Sequence, residues 1–162
     1  MENKKGTIIK LETSDGQIFE IKEKCFLRSY YYKIFKDILN PNEEIPFSEI
    51  NGKSLSKIIE YLNHYENEDP KEIPKPLPGP DIKPPVLDQW DYDFISILPL
   101  EEVIDLINAA NFLGINELTT LGSARAALEM INCDVDEARE KFGIIQDMTQ
   151  EEIDEANEYP LD

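Results

Sequence analysis

Residues 90–118, WDYDFISILPLEEVIDLINAANFLGINEL, limit most strongly what this chain can fold into. The stretch opens with an aromatic cluster of Trp90, Tyr92 and Phe94. Pro99 then marks a helix start, because a proline at the first helical position removes only a donor that has no intrahelical acceptor. Leu100, Val103, Ile104 and Ile107 follow at i, i+3, i+4 and i+7, which places one apolar stripe on a helix. Ala109 and Ala110 are small enough to let another element pack close. Phe112 and Leu113 carry the apolar run to Gly114, a residue suited to the left-handed conformation that ends a helix. Asn116 is placed to cap a second helix. The stretch predicts two heavily apolar helices joined by a tight turn.

A second feature divides the chain ahead of this pair. Seven of the sixteen residues in 70–85 are proline, and no helix or central strand survives that density. The segment reads as an extended, semi-rigid or disordered connector. Residues 74–77 and 78–81 also resemble polyproline II, the conformation read by SH3-like grooves. The plain-linker reading needs only the composition. It predicts a mobile, dispensable segment.

Before the connector, residues 7–13 have high strand propensity around Ile8, Ile9 and Leu11. Ser14, Asp15 and Gly16 give a turn signal, and residues 17–21 return with Phe19 and Ile21 on one face. Residues 23–28 read as a short helix. Ser29 can cap the next one, in which Tyr30, Tyr31, Ile34, Phe35 and Ile38 recur at helical spacing. Of the consecutive tyrosines 30–32, one or two are expected in the core and one outside; a stacking platform is the alternative. Asn40 and Pro41 end that helix. Residues 44–47 are a strand candidate, marked as an edge by Pro46. Ser54 is the expected cap of a helix with Leu55, Ile58, Ile59 and Leu62 inward and His64 near its end.

Beyond the central pair, Leu121, Ala124, Leu128 and Ile131 form the stripe of a helix ending near Asn132. Asp134 and Glu137 have capping-box spacing, and a short helix with Ala138 and Phe142 inward runs to Gly143. Thr149 and Glu152 repeat the box, with Met148 and Ile153 as a hydrophobic staple. Strands grouped early and helices segregated after them define an α+β chain.

The net charge is −18 at pH 7, which disfavours nucleic acid and anionic membrane as partners. Residues 134–162 hold eleven acidic residues against Arg139 and Lys141, half the net charge. They form a solvated acidic face or meet a basic partner, and the two readings are compatible. Cys25 and Cys133 fit neither a disulfide framework nor a zinc spacing. The first residues have no apolar run behind them, and no apolar stretch reaches membrane-spanning length. A cytoplasmic and nuclear protein is expected.

The run AANFLGINEL at 109–118, preceded by Trp90, Asp91 and Phe94, resembles the central signature of the S-phase kinase-associated protein (Skp) family. The SDG turn with the following IFE, EKFGI at 140–144 and DMTQEE at 147–152 extend the resemblance over nearly the whole chain. It implies a BTB/POZ-like domain over 1–118, shared with elongin C, and a helical F-box-binding tail over 119–162. Elongin C-like chains end soon after the equivalent of Leu113, whereas this chain continues for about fifty residues. By resemblance the protein is a non-catalytic adaptor of an SCF-type ubiquitin ligase, bridging a cullin scaffold to F-box proteins. A RING protein and a ubiquitin-conjugating enzyme are indirect partners, and the partner-free form associates weakly with itself. The implied cullin-binding residues are Asn111, Phe112 and Phe47. Those implied for the F-box are Leu128, Ile131, Val135, Ala138, Phe142, Ile144, Ile145, Met148, Ile153 and Tyr159. Tyr159 stands near the tryptophan usual in the family, and Gln150 replaces a proline that some members modify.

No catalytic constellation accompanies this. His64 is the sole histidine, no glycine-rich oxyanion turn lies beside either cysteine, and no phosphate-cradling glycine pattern occurs. No cofactor or metal is expected. The alternative reading is a BTB or elongin C-like self-associating scaffold outside SCF complexes.

Overall fold

The computed structural model describes residues 6–40, 43–145 and 149–158. Its first elements are the expected hairpin, β1 (Ile8–Thr13) and β2 (Ile18–Lys22), paired antiparallel with Ile9 opposite Ile21 and Leu11 opposite Phe19. Gly16 turns the chain at a φ of 73° that side chains rarely adopt. The short β3 (Ile45–Phe47) joins β1 in parallel, giving the order β2-β1-β3 and leaving β3 at an edge, as Pro46 required. Alternation along β1 sends Ile9 and Leu11 inward and Ile8 and Lys10 outward.

Helices α1 (Glu23–Phe26), α2 (Tyr30–Phe35), α3 (Gly52–His64), α4 (Gln89–Ser96), α5 (Leu100–Leu113) and α6 (Asn116–Ile131) follow. Two compact units divide the chain, Met1–Leu128 and Glu129–Asp162. The fold is α+β. The core of the first unit joins Leu11 and Ile21 of the sheet to Leu55, Ile58 and Leu62 of α3. It also takes in Val103, Leu106 and Leu113 of α5 and Leu118 of α6. A methyl group on Gly122 of α6 would lie 2.6 Å from Ile107 of α5, so this glycine sets how close the two helices come.

Three local expectations change. Asn51, not Ser54, caps α3. It has the extended backbone a cap requires, and its side chain accepts from the Ser54 amide at 2.9 Å. Pro99 lies at the cap of α5 rather than inside it, and Asn116 is already the first residue of α6. The third change concerns the proline-rich stretch 70–85. It has no helix or strand, but it is not a free tether: Ile73 and Ile82 are buried in the core and Leu77 packs against it. Its prolines at 74, 76, 78, 80, 84 and 85 face solvent. The chain enters the stretch from the end of α3, where the Arg28 guanidinium donates to the Tyr65 and Glu68 carbonyls at 2.9 and 2.6 Å.

The aromatic cluster at 90–94 is α4, capped by Asp88, whose side chain accepts from the Trp90 amide at 2.9 Å. It packs on the end of α3: Trp90 stacks on His64 with ring centroids 3.7 Å apart, and the Tyr65 hydroxyl donates to Asp91 at 2.8 Å. Burial pushes the Asp91 carboxyl above its ordinary value. No helix among the described residues is long and apolar enough to cross a membrane.

Candidate functional site

The start of α2 is fastened to the end of α5. Ser29 caps α2 by accepting from the Tyr32 amide at 3.2 Å, and its buried hydroxyl donates to the Leu113 carbonyl at 2.7 Å. The Tyr30 amide donates to the Gly114 carbonyl at 3.4 Å. Gly114 closes α5 in the left-handed region at a φ of 67°, and any side chain there would meet the Tyr30 Cβ at 2.6 Å. Two separate requirements therefore demand glycine at 114, one conformational and one steric. Behind this junction the Tyr32 hydroxyl donates to Glu23 at 3.2 Å; burial, then the Glu23 charge, pushes its pKa up to about 12.

This fastening assembles an aromatic surface from three elements. Tyr31 of α2 stacks on Phe112 of α5 at 5.5 Å and meets Phe47 of β3 edge-on at 5.6 Å. Phe47 and Phe112 meet edge-on at 6.2 Å. Phe112 is 46% exposed, whereas Phe47 is 3% exposed. Phe47, expected as a contact residue, therefore lies beneath the surface and supports Phe112. Asn111 is exposed beside it.

Tyr30, Ile34, Phe35 and Ile38 extend the apolar area, all exposed. Sequence spacing reads them as a helix stripe, and the structure turns that stripe to solvent. Their periodicity was visible in the sequence as the recurrence at i, i+4 and i+8. Periodicity does not say whether an apolar face meets its own core or another molecule. Of the three tyrosines, Tyr32 is buried, Tyr31 half-buried and Tyr30 exposed. Contiguous exposed aromatic and aliphatic area of this kind marks a protein-interaction site.

The second unit carries the other predicted set. Helix α7 (Val135–Phe142) has the full capping box: the Asp134 side chain accepts from the Glu137 amide at 2.9 Å, and Glu137 reaches back to the Asp134 amide. Gly143 ends α7 in the left-handed region. Helix α8 (Gln150–Glu158) has the second box, with Thr149 and Glu152 exchanging side-chain-to-backbone bonds of 2.7 and 3.3 Å. Lys141 pairs with Glu129 at 3.7 Å.

Among the described residues beyond Ala124 none is buried. Ile131, Val135, Ile144 and Ile145 are exposed; Ala138, Phe142 and Ile153 are half-buried. Leu128, in the first unit, is half-buried against that unit's core. Met148 and Tyr159 lie outside the described residues. Among the described residues no group of three or more His, Cys, Asp or Glu side chains is placed to hold a metal.

The Skp1 family tetramerisation domain matches residues 7–67 of the chain. Over 158 residues the chain is 33% identical to an S-phase kinase-associated protein 1 homolog of Tetrahymena thermophila, covering 93% of this chain and 90% of that protein. It is 34% identical over 150 residues to SKP1-like protein 18 of Arabidopsis thaliana, covering 91% of this chain and 90% of the relative. It is also 34% identical over 150 residues to the E3 ubiquitin ligase complex SCF subunit sconC of Neosartorya fischeri, covering 92% and 93%.

Proposed function

The chain belongs to the S-phase kinase-associated protein 1 family, and on that premise we propose that it is a non-catalytic adaptor of an SCF-type ubiquitin ligase. The observation that carries this reading is the span of the likeness. Relatives named as SCF subunits align over 91% and 92% of this chain, so the similarity takes in the tail as well as the first unit.

The adaptor's work is geometric. A cullin docks on Phe112 and Asn111, together with the exposed Tyr30 and Ile34 of α2 and Ile38 in the turn after it. An F-box protein docks on the tail, from Leu128 and Ile131 through Val135, Phe142, Ile144, Ile145 and Ile153. Holding a substrate receptor at a fixed place on the scaffold raises the effective concentration of substrate near the charged ubiquitin carrier. The acidic tail favours a basic F-box surface. The protein acts in the cytoplasm and nucleus.

Co-purification with a cullin N-terminal region and with an F-box protein tests the reading. Asn111→Lys with Phe112→Lys should abolish cullin binding and leave F-box binding intact, with the circular dichroism spectrum unchanged. A wild-type chain that captures an F-box protein but no cullin, or that only self-associates, overturns it in favour of a scaffold outside SCF complexes.

A further inference from the structure

Two exposed rings of the first unit stand on different helices. Phe112 is in the last turn of α5, and Phe35 ends α2. They are 46% and 37% exposed, so neither is held by burial alone. A partner that docks on a free side chain must also hold it still, and that ordering subtracts from affinity. Two rings on separate helices act as a matched pair of anchors only when something fixes both.

Tyr31 is placed to do this. It precedes Phe35 by four residues, so the two share one face of α2, and their ring centroids lie 4.7 Å apart. The same ring stacks on Phe112 at 5.5 Å, with 30° between the planes. It also meets the buried Phe47 edge-on at 5.6 Å, which ties it to the core through β3. Among the described residues Phe35 has no ring contact except this one, so its aromatic link to Phe112 runs through Tyr31. One half-buried ring thus joins rings of α2, β3 and α5.

We propose that Tyr31 is a positioning residue for the docking face, holding Phe112 and Phe35 as a preset pair of anchors for the cullin. This rests on the adaptor reading above, which assigned Phe112 but neither Tyr31 nor Phe35. Aromatic side chains are the usual anchors of such faces. Here both rings are ordered in folding, before the partner arrives. Loosening them weakens docking although both are still present.

The test uses the full chain and two measurements. Nuclear magnetic resonance couplings that report χ1 show whether Phe112 and Phe35 each keep one rotamer in the free chain. Titration with a cullin N-terminal region gives the affinity. Tyr31→Leu removes the ring but keeps an apolar side chain. It should average χ1 at both phenylalanines and lower affinity about tenfold. Tyr31→Phe keeps every ring contact and should restore single rotamers and affinity. Phe35→Leu should lower affinity about fivefold. In a chain already carrying Phe35→Leu and Phe112→Leu, adding Tyr31→Leu should change affinity less than about twofold, because no anchor ring is left to position.

Single rotamers that persist in Tyr31→Leu overturn the proposal, as do averaged rotamers with unchanged affinity. A loss from Tyr31→Leu that adds in full to the anchor variants makes Tyr31 a contact in its own right and also overturns it. Wild-type affinity in Phe35→Leu removes the second anchor. If Tyr31→Leu fails to fold by circular dichroism, Tyr31→Phe and Phe35→Leu decide the matter. A wild-type chain that binds no cullin fails differently: it removes the adaptor reading and the docking role together, while the χ1 couplings still report what Tyr31 holds.

Discussion

Replacing Ile73 and Ile82 with alanine asks whether the proline-rich stretch belongs to the core. Ile82 is 1% exposed and Ile73 is 8% exposed. Deleting a buried isoleucine down to alanine costs about 2–5 kcal/mol, the lost transfer energy plus the cavity left behind. The more exposed Ile73 belongs near 2 kcal/mol on that scale, and the sealed Ile82 near 3 kcal/mol. Summed as independent sites, the two effects come to about 5 kcal/mol. Whole domains are stable by only about 5–15 kcal/mol, so the double variant should sit close to unfolding.

Urea unfolding followed by Trp90 fluorescence measures this directly. Trp90 is the sole tryptophan, and it is stacked between His64 and Phe94 in the same unit. The midpoint should fall with little change in the slope. Pro78→Ala and Pro80→Ala, at exposed positions of the same stretch, should stay within about 0.5 kcal/mol of wild type. A double variant that loses less than about 1 kcal/mol would show that the stretch is a tether after all.

Gly114→Ala combines a left-handed backbone with a 2.6 Å approach to the Tyr30 Cβ, so it should destabilise by roughly 3 kcal/mol in the same urea assay. An unchanged midpoint would mean that α2 and α5 are not fastened there. At alkaline pH, burial raises Tyr32, Tyr61 and Tyr65, so the unfolded chain loses these protons first and stability should fall as pH rises above about 10. Absorbance at the phenolate band checks this: all seven tyrosines titrating together in the folded protein would refute it. Ending the chain at Leu128 should move the melting temperature by no more than about 4 °C and should abolish F-box binding. A fall several times larger would show that the first unit does not stand alone.

Rules that act within a few residues made much of the fold legible. Asp15-Gly16 fixed the hairpin, Ser29 the start of α2, Gly114 the end of α5, and the pairs Asp134–Glu137 and Thr149–Glu152 the two tail helices. Asn51 and Ser54 are both good caps by residue type. The choice between them is made by the extended backbone at 51, which tertiary structure imposes. The proline stretch misled because composition forbids helix and strand without forbidding burial. Its signal was there, in Ile73, Leu77 and Ile82, three aliphatic residues set among prolines and charged residues. The contact between Asn51 and Asp105 had no signal at all, because the two lie far apart in sequence and meet only where α3 and α5 pack together.

The two proposed surfaces differ most in how far each is prepared before a partner arrives. Phe112 is half in solvent, yet Tyr31 stacks on it, Phe47 supports it, and the Ser29 hydroxyl ties its helix end to α2. Its ring has already lost most of its rotational freedom in folding, so docking on it adds little ordering cost. The tail stands at the other extreme. Its helices α7 and α8 are 8 and 9 residues long, and none of their described side chains is buried. Helices of about two turns are marginal when local hydrogen bonds alone must offset nucleation, and two capping boxes supply only part of the difference. Binding there must complete the packing that the free tail lacks, which lowers affinity per area and lets one tail fit different helical partners. In the proposed adaptor these packing differences would give a rigid face toward the scaffold and an adaptable face toward the receptor. The division follows from where the buried residues, among those described, stop, at Ala124.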